Sequence, residues 1–220
     1  MSVPVPVPQP LCPLPARLAV LLSGRGSNFE ALAEACDRGE IPGHIVLVAS
    51  DVPEAAGLER ARARGISSKV IGTAARATRV EREAELLEAL AEAGTDLICL
   101  AGFMRILSAD FLSRWPLRIL NVHPSLLPAF PGLHAQDQAA RYGARVSGAT
   151  VHFVDVGTDT GPIVGQLAVP VFEGDDASSL AARILPAEHS LYPASVARVL
   201  RGGWWIEGRS VRFPEASVSH

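Results

Sequence analysis

At 220 residues, with 48% hydrophobic and 20% charged side chains, the chain has the balance of a globular protein and the length for one sizeable domain. With 20 basic residues against 23 acidic ones, a formal charge of -3 and no dense Lys/Arg run, a broad nucleic-acid-binding face is disfavoured and small molecules are the expected ligands. No apolar stretch approaches the ~20 residues of a membrane span, and no basic n-region with an apolar h-region opens the chain; the unpaired spacing of Cys12, Cys36 and Cys99 fits a reducing cytoplasm.

The run VPVPVPQPLCPLP before Arg17 alternates proline with small apolar residues, so residues 1–16 are expected to be a flexible, extended tail and 17–220 a single domain. From there strands alternate with alanine-rich helices, the pattern of right-handed βαβ crossovers. Leu18–Leu22 is expected as a strand, then the turn SGRGSN and a helix over Phe29–Arg38; Ile45–Ala49 is a second strand with a helix over Gly57–Arg64. A short strand at Lys69–Ile71 precedes a helix over Arg79–Ala93, stopped by Gly94. LICLA, Leu97–Ala101, has no alternation, as in a strand covered on both faces. A short helix at Ser108–Trp115 leads to a strand at Ile119–Val122 and the proline-held loop PSLLPAFPGLH. SGATVHFV and PIVGQLAVPV are two more strands joined by DVGTDTG, EHSLYPASVARVL is a helix, and WWIEGRSVRF is a hairpin turning at Gly208. The expected fold is α/β: a Rossmann-like open sheet, mostly parallel in the N-terminal half and mixed in the C-terminal half, with helices on both faces.

Chemistry can sit in three places. Ser23–Asn28 lies between a strand and a helix, where free N–H groups and the helix dipole suit a phosphate; it is equally an ordinary tight turn with Ser27 or Asn28 as N-cap, and Phe29 stands where a dinucleotide fingerprint needs glycine. Asn121 and His123, two apart at a strand's carboxyl end, share one side and face the crevice where α/β sheets bind ligands. Asp159, in a glycine-containing loop, is turn chemistry unless the fold brings it against His123. His152 lies in an apolar-polar alternation and reads as a structural histidine. The six histidines show no metal-binding spacing, and Cys36 and Cys99 read as inert packing.

Taken together, LLSGRGSN, LAGFMRIL, NVHPSLLPAFPGLH, SGATVHFVD with GTDTGPI, and AEHSLYP resemble the folate-dependent phosphoribosylglycinamide formyltransferases of purine biosynthesis, over almost everything from Arg17 to Leu200. The resemblance implies transfer of a formyl group from 10-formyltetrahydrofolate, as cosubstrate, to the amine of glycinamide ribonucleotide, without a metal. It implies catalytic roles for Asn121, His123 and Asp159. Gly26, Ser27 and Asn28 would hold the substrate phosphate with help from Arg79, and Glu188 would engage the ribose or glycinamide portion. The folate would lie against Met104, Arg105, Ile106 and Leu107, its pterin held by backbone of the loop from Val154 and Asp155 to Asp159. Arg79 and Glu188 could equally be solvated helix charges, and Met104, Ile106 and Leu107 core.

Three departures accompany the resemblance: the proline-rich start, Ala129 where lysine is common, and Pro186, expected to distort the helix leading into Glu188. Partners are expected to be small molecules only, with neither nucleic acid nor membrane and with a homodimer allowed. A hydrolase releasing formate, a tRNA formyltransferase with an added basic domain, and a non-catalytic folate or nucleotide module are the alternatives. The intact phosphate turn, the absence of further chain, and the joint presence of Asn121, His123 and Asp159 argue against them in turn.

Overall fold

The computed structural model describes residues 10–72 and 78–214. One sheet of nine strands runs through it in the order β3-β2-β1-β4-β5-β6-β7-β9-β8. β1 (Ala16–Leu22), β2 (Gly43–Ser50), β3 (Ser68–Val70), β4 (Leu97–Leu100) and β5 (Ile119–His123) are parallel. β6 (Val146–Phe153) and β7 (Ile163–Pro170) follow antiparallel, and a hairpin of β8 (Trp205–Glu207) and β9 (Ser210–Arg212) closes that edge through Gly208. The parallel half and the mixed half fall where the sequence puts them.

Both faces of the parallel half are covered, and successive side chains of β1 go to opposite cores. Leu18, Val20 and Leu22 pack with Phe29 and Leu32 of α1 (Ser27–Asp37), Leu58 of α2 (Ala56–Ala63) and Tyr192 of α6 (Ala177–Arg201). Ala19 and Leu21 pack with Leu86 and Leu90 of α3 (Arg79–Glu92) and Phe111 of α4 (Ala109–Ser113). The start of α3 is fixed by a capping box, in which Thr78 accepts from the Glu81 amide and Glu81 reaches back to the Thr78 amide. Cys99 is fully buried in β4, and burial pushes its thiol up to about 12.

The structure corrects the sequence reading in three places. A helix over Ala135–Tyr142, α5, was not expected; it sits on Ala135 and Ala139 and stops at the left-handed Gly143. α6 begins eleven residues before Glu188, at Ala177, and runs through both Pro186 and Pro193. Each proline removes one helical donor, and Leu180, Ile184, Ala187 and Val196, all buried, hold the segment helical regardless. The third concerns the N-terminal boundary: β1 starts at Ala16, the Leu11 amide donates to the Leu200 carbonyl at 3.0 Å, and Cys12 is 5% exposed. Residues 10–15 therefore lie on the domain, and residues 1–9 fall outside the described ones. Among the described residues no helix is long and apolar enough to cross a membrane.

Candidate active site

The chain leaves β1 for β2 and β3 on one side and returns to β4 on the other, so the sheet's order reverses between β1 and β4. Crevices at such a reversal, outside the carboxyl ends of the strands, are where open α/β sheets bind ligands. Beside it, β5 ends in Asn121 and His123, whose neighbours Leu120 and Val122 point into the opposite core.

Antiparallel pairing sets His152 of β6 opposite Asn121, with the Asn121 Nδ2 to His152 Nε2 distance 3.2 Å. The loop after β6 folds back at Gly161, where a β-carbon would lie 1.8 Å from the Phe153 carbonyl oxygen, so only glycine permits this return. Asp159, at φ 55°, is thereby placed between the two histidines: its Oδ2 lies 3.4 Å from His123 Nδ1 and its Oδ1 3.6 Å from His152 Nε2. The Gly132 amide donates to Asp159 at 2.7 Å, tying it to the proline-held loop. The structure thus brings together Asn121, His123 and Asp159 and adds His152, 2% exposed, which the strand alternation had suggested was structural.

Carbonyl oxygens only accept, and this fixes the ring protons. His123 Nε2 faces the Phe130 carbonyl at 2.9 Å and must carry a hydrogen; a further proton on His123 therefore goes to Nδ1, toward Asp159. His152 Nδ1 faces the Phe153 carbonyl at 2.8 Å, so its neutral ring offers the Nε2 lone pair to the Asn121 amide. That bond holds the NH₂ side of Asn121 in place and leaves its second N–H for a ligand. Burial lowers the His123 pKa below its ordinary 6.5, outweighing the Phe130 hydrogen bond and the Asp159 charge, which both act upward. A rise was the simple expectation for a histidine beside a carboxylate, and desolvation reverses it. Burial opposes ionisation of Asp159, yet His152, the Gly132 amide and the His123 charge together bring it down to about 2.

At the start of α1, Gly26 is the N-cap, at φ 77°, so Ser27 and Asn28 are already helical and neither caps with its side chain. A β-carbon on Gly26 would lie 2.6 Å from the Gly57 α-carbon; the turn needs glycine there to let α2 approach. Asn28 Nδ2 donates to Glu188 Oε2 at 2.7 Å, both residues being buried, while Asn28 Oδ1 has no hydrogen-bond partner. Burial pushes the Glu188 carboxyl up, against the opposing effects of Asn28 and Arg25. Glu188 is therefore no solvated helix charge.

Arg79 opens α3. It lines a cavity of about 310 Å³ with Asp51, Arg82, Glu83, Met104, Arg105, Ile106 and Leu107, and none of Gly26, Ser27 or Asn28 lines it. Arg79 is grouped with the residues expected to hold the folate. Met104 and Ile106 are 62% and 75% exposed, an apolar rim available to a ligand, whereas Leu107 is buried and packs in the core with Phe111. Val154 packs against the same core, and Asp155 Oδ1 accepts from the Gly157 amide at 3.2 Å and the Thr160 hydroxyl at 2.6 Å, shaping the loop that carries Asp159.

Residues 16–196 match the family model described as formyl transferase. The chain is 41% identical over 192 residues to phosphoribosylglycinamide formyltransferase of Escherichia coli, covering 87% of this chain and 88% of that protein. It belongs to the phosphoribosylglycinamide formyltransferase family. The crystal structure of glycinamide ribonucleotide transformylase 1 from Symbiobacterium toebii superposes with a TM-score of 0.87 at 49% identity, over 90% of this chain and 93% of that one. The chain is also 50% identical over 188 residues to the trifunctional purine biosynthetic protein adenosine-3 of Drosophila melanogaster, and spans 14% of its length. The family places this chain among enzymes of formyl transfer.

Proposed function

We propose that this formyltransferase moves the formyl group of 10-formyltetrahydrofolate to the primary amine of glycinamide ribonucleotide, giving the N-formyl product and tetrahydrofolate. The observation that carries the reading is the convergence of Asn121, His123 and Asp159 at the carboxyl end of β5, in an enzyme of this family. The amine nitrogen attacks the formyl carbon and the carbonyl becomes an oxyanion; the carbonyl then re-forms as the carbon–N10 bond breaks and N10 takes the proton that the amine gave up to His123. The free N–H of Asn121 donates to the oxyanion, an interaction worth ~10²–10³ in rate where it has been removed from other enzymes. Neutral His123 accepts the proton that the amine loses, and Asp159, ionised above about pH 2, stabilises the resulting cation on Nδ1.

The backbone amides at Gly26, Ser27 and Asn28 hold the phosphate at the N-terminus of α1, supported by its dipole. Glu188, oriented by Asn28, receives the hydroxyls or amide of the ribosyl-glycinamide. The folate lies along Met104 to Leu107, its anionic tail toward Arg79 and Arg105, its pterin against the backbone from Val154 and Asp155 to Asp159. Incubating the protein with 10-formyltetrahydrofolate, with and without glycinamide ribonucleotide, tests the reading: folate turnover must depend on the amine. Equal turnover without it would make the protein a hydrolase.

A further inference from the structure

Asp51 directly follows β2, and its side chain is only 4% exposed, a degree of burial carboxylates rarely reach without partners. Two side-chain donors engage it. The Ser23 hydroxyl donates to Oδ1 at 2.5 Å and Arg105 Nε donates to Oδ2 at 2.6 Å. Ser23 Oγ in turn accepts from the Met104 amide at 2.9 Å, and the Ser23 amide donates to the Gly102 carbonyl at 3.0 Å. One buried carboxylate therefore joins the end of β2, the first residue of the glycine turn and the loop from Gly102 to Leu107. The formyl-transfer chemistry described above makes no use of it.

Arg105 is the exposed half of this pair, at 55%, and lines the 310 Å³ cavity. A guanidinium gripped at Nε has its plane fixed and its two terminal nitrogens presented as a fork, the geometry that meets a carboxylate with parallel hydrogen bonds. The other acid of the cavity, Glu83, is turned away to α4, where the amide and the hydroxyl of Ser108 both donate to it. Both acids are thus engaged by protein donors, and the arginines give the cavity its character.

We propose that Asp51 is a positioning residue for Arg105: it holds the guanidinium so that its terminal nitrogens meet the carboxylate of the formyl donor's glutamate tail. This rests on the reading that the cavity takes the formyl donor. Without the Asp51 charge, Arg105 keeps its position in the chain but loses its fixed plane, and the tail loses the paired hydrogen bonds.

The test compares two donors, 10-formyltetrahydrofolate and its counterpart truncated at the benzoyl group, which has no glutamate. In Asp51→Asn the KM of the full donor should rise about tenfold, the scale of one charged hydrogen bond lost, while that of the truncated donor stays within about twofold. A purely structural role would raise both alike, and that result, or no change in either, overturns the proposal. Should the Asn variant fold poorly, Arg105→Lys provides the second route, since it keeps the charge and has no Nε to be held. It should cut the preference for the full donor by about tenfold, and an undiminished preference refutes positioning. Arg105→Ala separates the two readings: no loss of donor preference there removes the cavity from donor binding altogether. A loss in that variant with none in Asp51→Asn rejects Asp51 alone.

Discussion

Asp159 Oδ2 and His123 Nδ1 lie 3.4 Å apart, on the one ring nitrogen of His123 that no main-chain carbonyl occupies. A proton arriving at His123 therefore lands facing the carboxylate. Asp159→Asn keeps the size and removes the charge, and kcat should fall at least ~10²-fold, the scale of a lost acid–base function. The pH profile gives an independent check with a definite sign. In the proposed mechanism His123 acts unprotonated, so activity should fail on the acid side, with a limb below the ordinary 6.5 because burial lowers its pKa. Asp159 acts upward on that pKa, so Asp159→Asn should move the limb to still lower pH. Near-full kcat, or a limb that moves up, rejects the assignment.

His152 should matter to the rate although it is sealed from solvent. Its neutral ring accepts from Asn121 and so keeps the amide's NH₂ side toward the crevice. His152→Ala frees the amide to flip and present its oxygen to the developing oxyanion, a repulsive contact. We expect kcat to drop by ~10–10²-fold, a part of what an oxyanion donor supplies, with both KM values nearly unchanged. His152→Gln, which offers an acceptor oxygen, should recover part of the loss. Wild-type kcat in the Ala variant would reduce His152 to packing.

What could be read ahead of the structure follows the range of the interactions. LICL, without alternation, gives a doubly covered strand, and Asn121 and His123 share a side by strand periodicity alone. His152 looks structural from its own strand, because its role is created by pairing with Asn121 across β5 and β6. Asp159 meets His123 only through the loop closed at Gly161, and spacing cannot show this. The missed α5 buries little more than Ala135 and Ala139, too faint an apolar stripe to read. The first half of α6 was masked by Pro186, which tertiary packing overrides. Arg79 opens a helix, and its place beside Met104 to Leu107 in the cavity cannot be read from its position in the chain.

Arg79 accordingly yields a prediction opposite to that of a phosphate clamp. It lines the cavity with Met104 to Leu107, and its ion pair with Glu83 is long, 4.0 Å. Arg79→Ala should raise the KM for 10-formyltetrahydrofolate several-fold and leave that for glycinamide ribonucleotide within about twofold, as expected when one charged contact to one substrate is lost. Steady-state kinetics with each substrate varied in turn decides it, and the reverse pattern would return Arg79 to the phosphate.

Glu188 should show function and stability pulling apart. Its carboxyl is buried and its pKa raised, so folding favours the protonated form; the stability this gives is present at low pH and is lost as pH rises through the folded value. Above that value the ionised group is a burden on the fold. Glu188→Gln removes the charge and keeps an oxygen for Asn28 Nδ2, so the melting temperature should stay equal or rise. The KM for glycinamide ribonucleotide should nevertheless rise about tenfold, since a charged acceptor for the substrate's hydroxyls or amide is gone. A lower melting temperature with an unchanged KM would make Glu188 structural.

The last prediction concerns the residues before β1. Prolines that can neither join a sheet interior nor form a helix suggest a tail that could be removed, yet Leu11 packs against the core, Cys12 is 5% exposed and the Leu11 amide is held by Leu200 at the end of α6. Deleting residues 1–15 uncovers that end of α6 and the core beneath Cys12. Removing one well-buried apolar side chain costs roughly 1.5–3 kcal/mol, and each kcal/mol lowers the midpoint of a domain this size by about 2–4 °C. The truncated protein should therefore melt several degrees below the full chain. Because the Leu11 amide bonds to Leu200 in α6 and not to Asn121, His123 or Asp159, kcat at a temperature where both are folded should be unchanged. Scanning calorimetry on the two proteins decides the matter, and coincident melting curves would show that the contacts of Leu11 and Cys12 contribute nothing to the fold.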